Sequence, residues 1–588
     1  MRIVKFSVEN YKVFKEEFSI EFGKDSIAIL TGKNNTGKST LLEAINRFFM
    51  EETKTKIIPD DCFSDKSKKE IILKVTFELE DSEEMDQYKN VTMIKKYERG
   101  KVPKFYNEEN KEIKNGESKE QLNSILANKP YYITPYMHPD DINELIQTIY
   151  SDVLKSNLEK LDNAGEYENE HEKKLVEEYR MLKSAYPEFL GKIKSNTDDK
   201  LDQVSVDVSE SLKQLFTNDS LKLEVIGGES NGFSVNDLLK STNSSVEISN
   251  HLQKKMPLSN QGTGLQRMTL IYLIQNMIKN KMMGEEKEKL LLIDEPEAFL
   301  HPEAVRALSK SLYSIGAKMP LMISTHSPIL IDLSEKHTSI QVFRVNQNQS
   351  KQAIDLFKSN KEKFETDDIK NMKILNYVDS YVNEFFFADK ILIVEGDTEY
   401  IAFNHLAIKE NINLHIIRAR GKGTIQTLIK ILNQFNADYI VIHDVDNDPS
   451  FSLKTLRTQK TMCKNIMKLM EENNGGEKRN ITNRLFVSET TFETAIGIGK
   501  LSNSAKTRRA YEIINYTDDI DYNEEEMDIS KEEMETENKF AFEKIKGLFD
   551  YIFKEIENNV FEVSDFHKIT NQDQYDELFD VLIEKKKE

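Results

Sequence analysis

Gly32-Lys33-Asn34-Asn35-Thr36-Gly37-Lys38-Ser39-Thr40 decides how the first half of the chain is read. It follows the apolar run Ile27-Ala28-Ile29-Leu30 and precedes a helical pattern from Leu41 to Met50. The spacing G-x-x-x-x-G-K-[ST] between a strand and a helix makes a phosphate cradle. Its glycines let backbone N–H groups close around phosphate oxygens, and the helix N-terminus adds partial positive charge. Lys38 then reaches the β- and γ-phosphates, and the Ser39 hydroxyl ligates Mg²⁺. The expected contacts of bound ATP are Gly32, Asn34, Asn35, Gly37, Lys38, Ser39 and Thr40.

Two later strand ends complete this chemistry. Lys289-Leu290-Leu291-Leu292-Ile293-Asp294-Glu295 is an apolar strand ending in two carboxylates, a costly arrangement unless a cation or water uses them. Asp294 is expected to hold Mg²⁺, directly or through water, and Glu295 to orient or deprotonate the attacking water. After the next apolar strand, Leu321-Met322-Ile323, His326 stands where it can donate to the γ-phosphate.

Around these motifs the chain is organised in blocks. Phe6 and Val8, then Phe18, Ile20 and Phe22, alternate as strands do, and residues 71–79 read as a further strand. Residues 139–216 turn rich in Glu, Lys and Leu and read as a helical insert. Ile142, Leu145, Ile146 and Ile149 form one stripe, and Leu154, Leu158 and Leu161 another. The insert is either a dimerisation arm or a plain helical subdomain. A strand is expected at 221–226, followed by a helix. The expected ATPase domain spans 1–345, and 346–388 reads as a polar helical connector. From Ile391 a second α/β rhythm begins: strand 391–395, helix 399–409, strand 413–418, helix 424–435, strand 439–443. That is the rhythm of a parallel sheet with crossover helices. The second domain core is placed at 389–500 and a charged, helical C-terminal part at 501–588; no internal repeat stands out.

Composition narrows the class. A length of 588 residues suggests about three to four domains. The two cysteines, Cys62 and Cys463, are far apart and form no CxxC pair, which argues against a cysteine-built zinc site or a disulfide framework and suits a reducing cytoplasm. The N-terminus has no signal-peptide core, and no apolar run approaches the roughly 18–20 residues of a membrane span. A net charge of −20 is a weak argument against a nucleic-acid partner. The charge is uneven, however: Lys506, Arg508 and Arg509 cluster just before the acidic stretch Asp518 to Glu537. Both runs read either as solvated helix faces or as parts of a local groove.

The second α/β block carries its own chemistry. Lys390-Ile391-Leu392-Ile393-Val394-Glu395-Gly396-Asp397-Thr398-Glu399 ends a buried strand on Glu395, with Glu399 in the first helical turn behind it. The strand Tyr439-Ile440-Val441-Ile442-His443 runs into Asp444-Val445-Asp446, whose two carboxylates share a face at that spacing. Carboxylates converging at one sheet edge repel unless cations neutralise them. Hard oxygen donors select Mg²⁺ or Mn²⁺, and two such ions about 4 Å apart can activate water against a phosphodiester.

These motifs carry two resemblances. Over residues 1–345 the chain resembles ABC-type ATPases of the SMC and RecF kind. The resemblance makes Asp294-Glu295 the Walker B pair, Phe299-Leu300-His301-Pro302 the D-loop region and His326 the switch histidine. It also makes Ser259-Asn260-Gln261-Gly262-Thr263-Gly264-Leu265-Gln266-Arg267 the candidate signature loop, although it departs from Leu-Ser-Gly-Gly-Gln. Such sites close between two subunits, so a homodimer or higher homo-oligomer is implied. The Glu395-Gly396 strand end followed by Asp444-x-Asp446 is similar to the Toprim pattern. Joined to an ABC ATPase on one chain, it resembles the OLD (overcoming lysogenization defect) nucleases, a family that includes the nuclease subunit of the Gabija antiphage system. The resemblance implies an α/β chain with an ABC-type ATPase and a Toprim nuclease domain. Its implied activity is metal-dependent DNA cutting coupled to ATP, in antiphage defence, with a separately encoded helicase as a possible partner. It further implies that Thr491 and Glu493, in Thr491-Phe492-Glu493, help bind a second metal, and that a downstream lysine lies near the scissile phosphate, Lys539 with Lys544 as the alternate. The other reading is a RecF-like DNA-binding repair scaffold with an inactive Toprim domain.

Overall fold

The structure is a computed structural model describing residues 2–23, 27–50, 58–80, 88–162, 186–216, 221–226, 245–250, 253–280, 289–332, 340–346, 349–354, 365–378, 382–434, 437–474, 484–499, 503–515, 531–554 and 566–587. The chain divides into two units, one of Met1–Ile331 with Ser339–Ala353, the other of Asp332–Thr338 with Ile354–Glu588. Each is a mixed α/β body built on a parallel sheet.

The strands of the first unit are β1 (Arg2–Glu9), β2 (Phe18–Glu21), β3 (Ile27–Thr31), β4 (Glu70–Glu80), β5 (Tyr88–Glu98), β6 (Lys104–Asn107), β7 (Tyr131–Ile133), β8 (Lys222–Ile226), β9 (Ser245–Asn250), β10 (Gln253–Pro257), β11 (Leu291–Asp294), β12 (Leu321–Ser324), β13 (Ile340–Asn346) and β14 (Gln349–Ile354). Among the described residues these form three sheets, in the orders β2-β1-β4-β5-β6, β10-β9-β8 and β14-β13-β3-β12-β11-β7. The third is the one that matters for chemistry. From β13 across β3, β12 and β11 to β7 every pairing is parallel. Its central strands are buried along their whole length, so both faces must be apolar, as Ile27–Leu30 and Leu291–Ile293 are. Register aligns their C-terminal ends: Leu30 lies opposite Ser324, and Ser324 opposite Asp294.

The structure differs from the sequence reading at several places. The helix expected after 221–226 falls partly on 227–244, outside the described residues, and the next described elements are the paired strands β9 and β10. Within the expected helical connector 346–388, residues 349–354 form β14 at the edge of the six-stranded sheet, and among the described residues of that stretch 366–378 and 382–386 are helical. The insert is described as the helices Pro139–Asp162 and Tyr186–Phe216, joined by a Tyr150 hydroxyl donating to Asp198 at 3.0 Å. Ile142, Leu145, Ile146, Ile149, Leu201, Val204, Val208 and Leu212 are buried. The part between the helices, and the side chains of Leu154, Leu158 and Leu161, lie outside the described residues. No described helix is long and apolar enough to cross a membrane.

The second unit contributes β15 (Ile391–Val394), β16 (His415–Arg418), β17 (Tyr439–Asp444), β18 (Arg484–Ser488) and β19 (Phe566–Ile569), in the order β16-β15-β17-β18-β19. The first four are mutually parallel, and β19 is antiparallel to β18. β19 lies in the part expected to be wholly helical. Of the acidic stretch, 518–530 lies outside the described residues and 531–537 opens the helix Lys531–Lys554. The chain goes from β15 to β16 on one side, then crosses to β17 on the other. The crevice where a parallel sheet reverses its winding is where such folds place their ligands, and it falls between the C-terminal ends of β15 and β17.

One buried charge ties the phosphate-loop helix Lys38–Phe49 to the antiparallel sheet. Lys95 on β5 is 1% exposed, and its ammonium donates to the carbonyls of Arg47 at 2.9 Å and Met50 at 2.6 Å. The Tyr97 hydroxyl also donates to Arg47 O, at 3.0 Å. A cation suits the negative end of the helix dipole, where the last carbonyls lack the usual i+4 N–H partner; Arg47 O also takes the Met50 N–H, at 3.3 Å. Lys95→Met is expected to cost about 2–4 kcal/mol and to lower the thermal midpoint of the first unit, read by circular dichroism or calorimetry; an unchanged midpoint would remove this role.

Candidate active sites at two strand-end clusters

The nucleotide cradle forms where β3 meets the helix Lys38–Phe49. Gly37 is the helix N-cap with φ +107°, and a Cβ there would lie 2.5 Å from the Phe14 ring. Only glycine fits that conformation and that space. No side chain caps the helix, so its first N–H groups face the loop. The Lys38 ammonium is folded onto its own loop, donating to Gly32 O at 3.0 Å and Lys33 O at 2.8 Å. Burial pushes its pKa down to about 8, against the opposing charges of Glu295, Asp294 and Glu297.

Asp294 ends β11 and is 5% exposed. Burial raises its pKa, while hydroxyls of Ser324 and Ser39 donate to the carboxylate and hold it down. Ser39 and Asp294, expected on one Mg²⁺, thus lie together. Glu295 follows at φ +44°, its N–H held by Ser324 O at 3.0 Å, and the His326 Nε2 lies 3.8 Å from Glu295 Oε1. Burial, with Lys38 nearby, lowers the His326 pKa, so the ring is neutral near pH 7.

Two residues here were given no such role from sequence. Glu297 accepts from Thr325 Oγ1 and from His326 N, both at 2.7 Å, and so fixes the backbone that carries the histidine. Its own carboxyl is raised by burial. Arg267, 2% exposed, sits in the helix Thr263–Lys279 that begins at Gly262-Thr263. Its guanidinium donates to Asp294 O at 3.2 Å, to Ala298 O at 2.8 Å and to Glu295 O. The candidate signature segment is therefore anchored to the turn after Asp294, and Gly264 passes close to Phe299 O.

In the second unit Glu395 stands one residue past β15, and its Oε2 accepts from Asp444 N at 3.1 Å. Gly396 caps the helix Asp397–Lys409, and a Cβ there would lie 2.7 Å from Glu399 Oε2, so Glu399 folds back over the strand end. Glu399 is 2% exposed; burial, with Glu493 and Glu395 beside it, pushes it up to about 8. Asp444 is raised well above the carboxylate range by burial and by Glu399 and Glu395. Glu493, in the short helix Phe492–Ala495, is 1% exposed and accepts from Thr398 Oγ1 at 2.7 Å. Asp446 has φ +57°, its N–H donating to Thr490 O at 3.0 Å. Glu395, Glu399, Asp444, Asp446 and Glu493 are thereby brought to one sheet edge.

Lysines stand among them. Lys422, the first residue of the helix Lys422–Gln434, lies with Nζ 3.4 Å from Glu395 Oε2 and bonded to Asp446 Oδ2. Lys506 lies 3.0 Å from Glu493 Oε1. Lys422 was not singled out in the sequence, where only its position after Arg420-Gly421, at φ +62° and +137°, marks a sharp return toward the strand ends. Arg508 and Arg509 pair with Glu512, and Arg509 also with Glu537. Thr491 caps its short helix, accepting from Thr494 N. Lys544 donates to Ala495 O at 2.9 Å, on the helix that carries Glu493, whereas Lys539 is exposed.

Behind the cluster, His443 is fully buried. Its Nδ1 donates to Asp444 O at 2.7 Å, so Nε2 accepts from the Tyr575 hydroxyl at 3.0 Å. Burial drops its pKa to about 3 and keeps it neutral. Asn447 donates to Leu578 O at 3.0 Å. The helix Gln574–Lys585 thus braces the loop that carries Asp444 and Asp446.

The donor set fits a divalent cation. The donors are hard carboxylate oxygens, and Asp444 Oδ1 is buried with no hydrogen-bond partner. Among the described residues no three His, Cys, Asp or Glu side chains already surround one point at ligand distance; Lys422 lies between Glu395 and Asp446.

Residues 1–331 match the family of AAA ATPase domains known as AAA_15, and residues 386–446 match the Overcoming lysogenization defect protein-like TOPRIM domain. The OLD nuclease of Thermus scotoductus is 25% identical over 271 residues, 45% of this chain and 50% of that protein. The Old nuclease of Escherichia phage P2 is 26% identical over 375 residues, 59% of each. Endonuclease GajA of Bacillus cereus is 25% identical over 311 residues, 47% of this chain and 44% of that protein. The chain spans about half the length of the curated relatives it matches. Among solved structures, the Smc head bound to the C-winged helix domain of ScpA aligns with 60% of this chain and 97% of its own, at 14% identity and a TM-score of 0.38. Both domains imply the use of nucleotide and divalent metal. The chain belongs to the AAA_15 family of ATPases and joins to that domain a TOPRIM domain of the OLD-like kind.

Proposed function

We propose that the chain is a DNA endonuclease, dependent on Mg²⁺ or Mn²⁺, whose cutting is coupled to ATP in the first unit and which serves antiphage defence. The observation that carries this reading is the gathering of Glu395, Glu399, Asp444, Asp446 and Glu493 at the C-terminal edge of one parallel sheet, on a chain that also carries an ATPase domain. Three relatives named as nucleases support it.

In the first unit Lys38 would leave Gly32 O and Lys33 O to bind the phosphates of ATP. Ser39 and Asp294 hold Mg²⁺. Glu295 takes the proton of the attacking water, and neutral His326 donates to the γ-phosphate. Arg267 fixes the Glu295 backbone against the segment 259–267 of its own chain, and the corresponding segment of a second copy completes the nucleotide site; the working form is therefore at least a homodimer.

In the second unit Glu395, Glu399, Asp444, Asp446 and Glu493 hold the cations. Bound divalent ions there supply the Lewis acidity that lowers the pKa of a water and offsets charge on the leaving oxygen. His443 and Tyr575 fix the strand end carrying Asp444. Lys544, tethered beside Glu493, meets the scissile phosphate.

Supercoiled plasmid should be nicked or linearised by the wild-type chain with Mg²⁺ or Mn²⁺, and Glu395→Ala should lower the rate by at least about a hundredfold. Equal rates in the variant, or no cutting by wild type with either ion, would overturn the nuclease reading. Separately, Lys38→Ala should weaken ATP binding by about tenfold or more, measured by titration with a fluorescent nucleotide. The rise in melting temperature that Mn²⁺ confers should persist in that variant, because Lys38 belongs to the other unit.

A further inference from the structure

Lys422 is placed against the ordinary preferences of a lysine. It opens a helix, where the positive end of the dipole disfavours a cation. Its side chain is 2% exposed, so its ammonium has lost its hydration. The loop that delivers it is pinned to the neighbouring strand: Ala419 N donates to Val394 O at 2.8 Å and Arg420 N to Glu395 O at 3.0 Å. Two consecutive left-handed residues, Arg420 and Gly421, then turn the chain back so that Lys422 enters the cluster. A pair of carboxylates, Glu395 and Asp446, bridged by its ammonium, offsets these costs. An ammonium takes the same hard oxygens that a divalent ion takes, and both of these belong to the donor set proposed above. On the other flank Lys506 neutralises Glu493, but its side chain is 24% exposed, so its ammonium keeps part of its hydration.

We propose that Lys422 is a resident counter-cation: it holds Glu395 and Asp446 together when no divalent ion is bound, and it must withdraw for an ion to enter between them, so it sets the metal affinity of the site. The inference rests on the metal-site reading above. It makes Lys422 a positioning residue. The order of events is cation exchange, one ammonium leaving the two carboxylates as one divalent ion arrives, which leaves the site assembled throughout.

The test is calorimetric titration of the full-length chain with Mn²⁺, for wild type, Lys422→Met, Lys422→Gln and Lys422→Arg. Removing the competing charge should tighten Mn²⁺ binding by on the order of tenfold or more in the Met and Gln variants, while Arg retains the wild-type affinity. In chelator the Met variant should melt below wild type, and Mn²⁺ should raise its midpoint further than it raises that of wild type. A merely structural lysine would weaken binding when removed. Unchanged or weaker binding in both neutral variants, with binding abolished by Asp444→Ala, overturns the role of Lys422 and leaves the metal site standing. Absence of Mn²⁺ uptake by wild type and variants alike overturns the metal site and this inference with it. Failure of both neutral variants to fold in the presence of Mn²⁺ also overturns it, because the ion should replace the ammonium.

Discussion

Carboxylates at the ends of buried parallel strands are the constraint around which both units are built. A strand with both faces covered carries its last side chains into a low-dielectric setting, where an ionised carboxylate loses water and meets its neighbours' charge. The effect is visible in the raised pKa values of Asp294 and Glu297 in one unit and of Glu395, Glu399 and Asp444 in the other, with burial the leading cause each time. Such groups persist only if the surrounding chain supplies donors. It does so with hydroxyls at Asp294, with backbone N–H at Glu395 and Glu297, and with ammonium groups at Glu395, Asp446 and Glu493.

Backbone strain has the same distribution. Ten described residues other than glycine have positive φ, and six of them, Asn35, Glu295, Phe299, Arg420, Asp446 and Thr490, lie on loops that leave the C-terminal ends of strands in the two parallel sheets. Each such conformation costs about 1–3 kcal/mol and survives only where its surroundings over-determine it. Arg267 does this for the turn at Glu295, through three carbonyls. Asn447 does it for Thr490, whose N–H it accepts at 2.9 Å while its own amide is held by Leu578 O. Strain and its support are therefore paired at both sites.

Position along the chain was legible in the sequence. The cradle at 32–40, the acidic end at 294–295, Glu395-Gly396 and Asp444-x-Asp446 each stand between an apolar run and a helical pattern, and that local context is written in adjacent residues. Partnership across the fold was concealed. Lys422 is one of 81 lysines and arginines, and nothing in its neighbourhood says that β16 lies beside β15 and delivers it to Glu395. The cluster Lys506, Arg508 and Arg509 drew attention as a basic run, yet its charges meet Glu493, Glu512 and Glu537. β9, β10, β14 and β19 are short edge or antiparallel strands whose polar composition, as in Gln349-Ser350-Lys351-Gln352, carries little period-two signal. Lys95 escaped notice because a buried lysine looks like any lysine of an amphipathic strand until its carbonyl partners are known.

The second site also reaches well beyond the stretch that resembles known TOPRIM domains. Residues 386–446 contain Glu395, Glu399, Lys422, Asp444 and Asp446. Glu493 and Lys506 come later, as does β18, which flanks β17 in register from Ile440 to Asp444. Tyr575, which fixes His443, comes from the last helix, and Lys460 and Lys464 bind that helix through Asp576 at 2.6 Å. Without these, Asp444 and Asp446 would hang from a strand with one edge open and its buried histidine unpaired. The carboxylates that define the motif are thus a minority of the groups that fix their geometry, and the sequence after 484, charged and ordinary in composition, supplies the frame that lets five acids share one edge.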